Sequence, residues 1–430
     1  MNDVAPARRC AYTVIRRVFE SGAFADRALH AEAAGLDARD RALAMTLAYG
    51  TVQRCRTLDH VLAQLSSRPL AKLDPEVLAA LRLGLFQLLY LDGVAEHAAV
   101  NESVELVKRS GRGGAQLVNA VLRRAGREGR ALLAQLGDRT AQEAALAHSV
   151  PDWLAELWFD ELGAVEARAL LATVNEPPES ALRINTLRAP LELELPVATT
   201  PAGPELPEGR VLAAPFDVFG SALWQDGLLT PQSRASMLVA RALAPEPGQR
   251  VLDLCAAPGG KTTHLAALMG GEGEIVAVEV HPGRAQALRT TCERMGAVNV
   301  RVVTADARSP DLDPDLDPDG GGGFDRVLVD PPCSGLGTLQ SRPDLRWQER
   351  RSRLGELAAQ QLELLRAGAA RLRPGGALVY SVCTISAAEG DGVVERFLAG
   401  TPGFELEHCR RLLPHRDHTD GFVIARLRRL

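Results

Sequence analysis

Aromatic residues make up only 4% of the 430-residue chain, so any base stacking must rest on a few rings or on arginine planes. Lysine is scarcer still: of 49 basic residues only Lys72, Lys108 and Lys261 are lysines. The seven cysteines, at 10, 55, 255, 292, 333, 383 and 409, form no C-x-x-C pair, which speaks against zinc ribbons and a disulfide framework and for a reducing cytosol. No run approaches the ~18 apolar residues of a membrane span, and the first residues hold no apolar leader segment. A cytoplasmic protein with no membrane contact and no metal is expected. Neither charge sign dominates, at 49 basic against 54 acidic residues. An RNA partner is therefore allowed only through local patches. Residues 1–130 do carry a positive excess, 19 basic against 14 acidic, leaving 30 against 40 for the rest.

At about 100–200 residues per domain the length predicts two or three domains. Hydrophobic residues at 46% and charged residues at 24% are ordinary globular values, which excludes disorder and coiled coil. The pattern is helical from about residue 5 to 130. In 76–92, Val77, Leu81, Leu85 and Leu88 form one stripe behind Pro75, and a second helix is expected over 98–108. The stretch 110–114, flanked by Lys108, Arg109 and Arg112, reads as a basic glycine loop or a plain interhelical turn. Residues 131–180 are helical again, 182–187 is a short strand, and 188–216 is loop. After Gly248 strands and helices alternate, as in a parallel sheet. Strands are expected at 250–254, 274–280, 299–303, 325–329 and 376–382, closed by an antiparallel pair at 404–408 and 421–427. The acidic stretch 308–323 reads as an insertion without chemistry. This yields three domains: helices over 1–130, linker helices and a small α+β subdomain over 131–235, and an α/β domain over 236–430.

The run Val251-Leu252-Asp253-Leu254-Cys255-Ala256-Ala257-Pro258-Gly259-Gly260-Lys261-Thr262 reads as buried strand, small-residue turn and helix. Its glycines let a ligand approach backbone N–H groups at a helix N-terminus. A Walker A loop needs glycine where Cys255 stands, and no G-x-G-x-x-G is present, so triphosphate and dinucleotide readings both fail. Glu279 at the tip of the next strand sits where ribose hydroxyls are gripped in doubly wound sheets, and Asp306 after the third offers an acceptor for an exocyclic amine. Each alone would be a solvated strand-end charge; together with the glycine loop they favour a nucleoside cofactor without phosphates. Asp330-Pro331-Pro332-Cys333 follows a fourth strand and Cys383 a fifth, on the edge where such folds bind ligands. A thiolate that adds to C6 of cytosine turns C5 into a nucleophile toward a sulfonium methyl, given a proton donor near N3 and a base for the C5 proton.

The runs DLCAAPGGKT, DPPCSGLGTL, RPDLRW, YSVCTI and LLPHRDHTDGF, in this order over roughly 145–430, resemble the Nop/Sun family of S-adenosylmethionine-dependent RNA cytosine-C5 methyltransferases. The N-terminal helices, with Ala11-Tyr12, Asp40-Arg41, Tyr49-Gly50-Thr51, Asp59 and Asn119 to Arg123, look like a NusB-type RNA-binding domain. That pairing is similar to the bacterial members acting on one cytosine of small-subunit ribosomal RNA. The resemblance implies a multidomain protein, an all-α NusB-like domain joined to a Rossmann-like methyltransferase domain. It implies S-adenosylmethionine held by Cys255, Ala256, Ala257, Pro258, Gly259, Gly260 and Lys261, with Glu279 on its ribose, Asp306 on its adenine edge and Asp330 between cofactor and base. It makes Cys383 the nucleophile and Cys333 the thiol that aids product release; spacing by itself leaves the order of the two open. The chain departs from the family at Glu279, at Val382 and at Gln340-Ser341, the last replacing arginines. Arg342, Arg346, Arg350, Arg351 and Arg353 around Trp347 are expected to track an RNA backbone. A monomer is expected. Two rivals are methylation of another RNA such as tRNA, and a non-catalytic ribosome-assembly scaffold, which retention of both cysteines, Asp330 and Lys261 disfavours.

Overall fold

The computed structural model describes residues 4–108, 112–309 and 323–430. These pack as two compact units, one of 1–177 with 339–350 and one of 178–338 with 351–430, so packing divides the chain at neither 130 nor 235. The basic-loop reading of 110–114 falls partly outside the described residues. Where it is described it is corrected, because the helix Arg112–Leu133 already contains both Gly113 and Gly114. Nearly all of the acidic stretch also lies outside them.

The first unit is helical, and its apolar stripes meet in one core that includes Ile15, Leu47, Leu58, Leu62, Leu81, Leu83 and Leu122. The helix expected from Val77, Leu81, Leu85 and Leu88 runs Pro75–Tyr90 with its proline in the first turn. The helix Ala38–Gln53 meets it closely at Gly50, where a Cβ would lie 2.0 Å from the Phe86 ring. Only glycine permits that approach. The helices after residue 140 belong to this unit because polar contacts bind them to it. Thr57 Oγ1 donates to the Leu146 carbonyl at 2.6 Å, and Arg56 donates to Val150 O and Asp152, both at 2.7 Å.

In the second unit, β1 (Ala181–Ile184), β2 (Thr199–Pro201), β3 (Gly209–Leu212) and β4 (Leu229–Pro231) form an antiparallel sheet in the order β2-β3-β1-β4. Thus 188–216 is not all loop. Two strands of three and four residues lie within it, too short and too rich in proline and glycine to show an alternating pattern.

The remaining strands are β5 (Arg250–Leu254), β6 (Glu274–Val278), β7 (Val300–Val303), β8 (Phe324–Val329), β9 (Leu372–Val382), β10 (Phe404–Leu412) and β11 (Phe422–Arg429). They form one sheet ordered β10-β11-β9-β8-β5-β6-β7. Neighbours from β7 to β9 are parallel, and β11 returns antiparallel to β9. The strands are apolar on both faces because both are covered. Val251, Ile275, Ala277 and Leu328 face one side with Leu265 and Leu288, while Leu252, Leu254, Val276 and Val327 face the other with Leu364, Val393 and Phe397. The chain runs outward one way through β6 and β7 and the other way through β8 and β9. This makes the C-terminal ends of β5 and β8 the switch point at which doubly wound sheets take their ligands. No helix among the described residues is long and apolar enough to cross a membrane.

Candidate active site

At the end of β5 the backbone turns sharply: Cys255 takes a left-handed φ of 64° and Gly259 a φ of 103°. Ala256 N donates to Val278 O at 3.0 Å, and Arg284 Nη2 holds the Ala257 carbonyl at 3.0 Å. The helix Gly260–Leu268 starts directly after, presenting the N–H groups of its first turn. A Cβ on Gly259 would lie 2.8 Å from Leu288 Cδ1, whereas one on Gly260 would meet nothing within 4 Å. The loop is therefore backed by packing and open in front. Below it, Thr262 Oγ1 donates to Asp253 Oδ2 at 2.6 Å, and the other carboxyl oxygen of Asp253 is buried without a partner. Burial pushes this carboxyl up to about 7, with Thr262 opposing and the Asp330 charge adding to the rise.

Glu279, next to the end of β6, is only 3% exposed and accepts from His281 N–H at 3.0 Å, with Arg284 Nη2 at 3.5 Å. Asp306 lies apart from this cluster in character. It is half-exposed and its carboxylate is gripped by Arg308 through N–H at 2.9 Å, Nε at 3.0 Å and Nη2 at 2.8 Å, which lowers its pKa. An open loop of N–H groups with a carboxylate at the neighbouring strand end suits a ligand bearing a carboxylate at one end and a ribose diol at the other.

Four side chains expected to act together converge beside that loop. Lys261 Nζ lies 2.7 Å from Asp330 Oδ2, and Ser381 Oγ donates to Asp330 Oδ1 at 2.7 Å. Lys261 also sits over the Phe422 ring at 5.4 Å. Its burial disfavours the ammonium, yet the Asp330 carboxylate outweighs this and the net shift is upward, with charge on Cys383 adding to it. The sulfurs of Cys333 and Cys383 are 3.3 Å apart. The hydrogen bond to Cys383 and burial hold the Cys333 thiol well above its usual range. Cys255 takes no part in this contact, and burial pushes its thiol up to about 12. No cluster of three metal-ligating side chains exists among the described residues.

The arginine reading is corrected at Arg346 and Trp347, whereas Arg350, Arg351 and Arg353 are exposed. Arg346 is fully buried, with Nη1 donating to Gln53 O, Ser149 O and Asn175 Oδ1 at 3.3, 3.2 and 2.7 Å. Its Nη2 donates to Val174 O and Leu339 O at 3.1 and 3.2 Å. Trp347 Nε1 donates to Val52 O at 2.8 Å, and Gln340 Nε2 to Thr173 O at 3.1 Å. These groups tie 339–350 into the helical unit instead of facing solvent. Residue by residue the sequence also missed Glu389, Ser334 and Thr384, whose buried network underlies the cysteines.

A doubly wound sheet with an antiparallel final strand, a glycine loop after its first strand and acidic residues at the next strand ends defines an S-adenosylmethionine-dependent methyltransferase. Comparison with known proteins agrees. Residues 240–428 match the model described as 16S rRNA methyltransferase RsmB/F, and residues 5–127 match the NusB family. The chain belongs to the RsmB/F (Sun) methyltransferase family. It is 36% identical to a probable ribosomal RNA small subunit methyltransferase B of Synechocystis sp., over 98% of this chain and 99% of the relative. It is 38% identical to ribosomal RNA small subunit methyltransferase B of Thermus thermophilus, over 91% and 89%. Among solved structures it resembles PH0851, at TM-score 0.82 and 27% identity over 99% of both chains. It also resembles NSun6 from Pyrococcus horikoshii with SFG, at TM-score 0.57 and 25% identity over 65% of this chain and 98% of that one.

Proposed function

We propose that the protein methylates C5 of a cytosine in small-subunit ribosomal RNA through a covalent bond between Cys383 and C6 of the base. The observation that carries this reading is the thiol pair at 3.3 Å, set beside the Lys261–Asp330 ion pair. Ribosomal RNA as substrate follows the names of the relatives in Synechocystis and Thermus, and the NusB-type unit suits an RNA partner.

The residues around the glycine loop fit the cofactor: Cys255 to Lys261 would hold its methionine end, Glu279 its ribose and Asp306 its adenine edge. When bound there, S-adenosylmethionine supplies a methyl group on a sulfonium. The protein's part begins with charge placement. Negative charge on Cys383 would be stabilised by Lys261 and, when Cys333 is the donor of the S–S contact, by that thiol at 3.3 Å. Attack of the Cys383 sulfur on C6 forms the S–C6 bond and breaks the C5=C6 double bond; the electron pair passes toward N3, which takes a proton from the Lys261–Asp330 pair, and the resulting enamine makes C5 the nucleophile. After methyl transfer the C5 proton leaves to a base, the S–C6 bond breaks and the aromatic ring returns. Cys333, in contact with the departing sulfur, assists that release. The target base must be unpaired or extruded to meet the thiol face-on.

Bisulfite sequencing of ribosomal and transfer RNA from a deletion strain tests the substrate. Loss of one methylated cytosine in small-subunit RNA is expected. Loss confined to tRNA would overturn the assignment, and no loss together with no binding of S-adenosylmethionine would favour a scaffold.

A further inference from the structure

The chemistry just described uses two sulfur atoms carried by separate segments, the turn after β8 and the end of β9. The residue after each cysteine bears a hydroxyl, Ser334 after Cys333 and Thr384 after Cys383, and the two hydroxyls are 2.9 Å apart. Both converge on Glu389, which is fully buried. Its Oε2 accepts from Ser334 Oγ at 2.5 Å and Thr384 Oγ1 at 3.2 Å. Its Oε1 accepts from Ser334 N–H at 2.9 Å and Gln361 Nε2 at 3.0 Å. Gln361 Nε2 also donates to Pro332 O at 3.0 Å, and Tyr380 OH donates to the Glu389 carbonyl at 2.6 Å and to Gln361 Oε1 at 3.1 Å.

A carboxylate accepts only, at about four lone-pair sites, and here four donors meet them. Burying such a group is costly unless every site is satisfied, and a satisfied buried network specifies one arrangement of the segments it joins. We propose that Glu389 is the positioning residue for the thiol pair, clamping residues 334 and 384 onto one carboxylate and thereby setting the spacing of the Cys333 and Cys383 sulfurs. The proposal rests on the reading that both sulfurs serve the reaction.

The test reads geometry apart from catalysis. Diamide takes two hydrogens from a thiol pair, giving a disulfide and the reduced hydrazine. The rate of Cys333–Cys383 closure, followed by peptide mapping of the full-length protein, therefore reports how near the sulfurs lie. Glu389→Asp and Glu389→Ala should slow closure by about tenfold or more, since disulfides tolerate little displacement. Glu389→Gln should stay within about threefold of wild type, because both hydroxyls can accept from the new amide. Methylation should follow the same order, falling about tenfold or more in kcat for Asp and Ala with RNA KM unchanged and recovering in Gln. Binding of S-adenosylhomocysteine should be preserved in all three. If the Ala variant does not fold, the double variant Ser334→Ala with Thr384→Val removes the same hydroxyl clamp. Closure at wild-type rate in Asp and in the double variant would overturn the proposal. Slowed closure with intact methylation would uphold the clamp and overturn the paired-thiol chemistry.

Discussion

Replacing Arg346 with methionine keeps side-chain length and removes every donor. The guanidinium has no exposed surface and donates to five acceptors, four main-chain carbonyls and Asn175 Oδ1. A buried acceptor left unpaired costs about 1–3 kcal/mol, but burial also penalises the guanidinium itself, lowering its pKa to about 9. The gross loss is therefore partly offset, and a net destabilisation of about 3–5 kcal/mol is expected. A chain of two units need not unfold in one step, so the appropriate assay is native-state hydrogen exchange, which resolves local opening. At 1.4 kcal/mol per tenfold, amides in 38–65 and 141–177 should exchange at least about 100-fold faster, with RNA affinity and its salt dependence little changed. Unaltered protection together with a weaker, less salt-dependent RNA affinity would refute the structural assignment and restore Arg346 as a phosphate contact.

Asp253 gives a pH signature. Its carboxyl is raised from 3.8 to about 7, so between these values the folded state binds more protons than the unfolded one and stability falls as pH rises. Asp253→Asn should remove about 2 kcal/mol of the loss between pH 5 and 7, measured by urea melts at both values. His264 acts in the opposite sense: burial lowers it to about 4, so its contribution is present above pH 6.5 and is lost as pH falls toward 4. Acid melts of His264→Gln should lack that slope. At the cofactor loop, Gly259→Ala sets a Cβ 2.8 Å from Leu288 Cδ1 at a left-handed φ and should weaken S-adenosylhomocysteine binding by about tenfold or more in calorimetry.

The parallel strands and the ligand edge were legible because their signals are local. In Arg250–Leu254 the apolar Val251, Leu252 and Leu254 run into a small-residue turn, and the observed strand has those bounds. Cys333, Cys383, Asp330 and Lys261 each follow or sit near a strand end, and alternation of strand and helix puts those ends on one edge. Arg346 was misread for a physical reason: local charge suggests solvent, and only the fold supplies five acceptors to an interior guanidinium. Glu389 escaped because its partners come from 334, 361 and 384, joined by packing and not by spacing. The strands at 199–201 and 209–212 escaped because runs so short carry no period.

The sulfur that bonds to the base is read most directly from the covalent adduct. Wild-type, Cys333→Ala and Cys383→Ala proteins, incubated with small-subunit RNA and S-adenosylmethionine and resolved on denaturing gels, report it. Cys333→Ala should accumulate a covalent protein–RNA adduct and Cys383→Ala should form none and transfer no methyl group. An adduct that persists in Cys383→Ala and vanishes in Cys333→Ala would contradict the assignment.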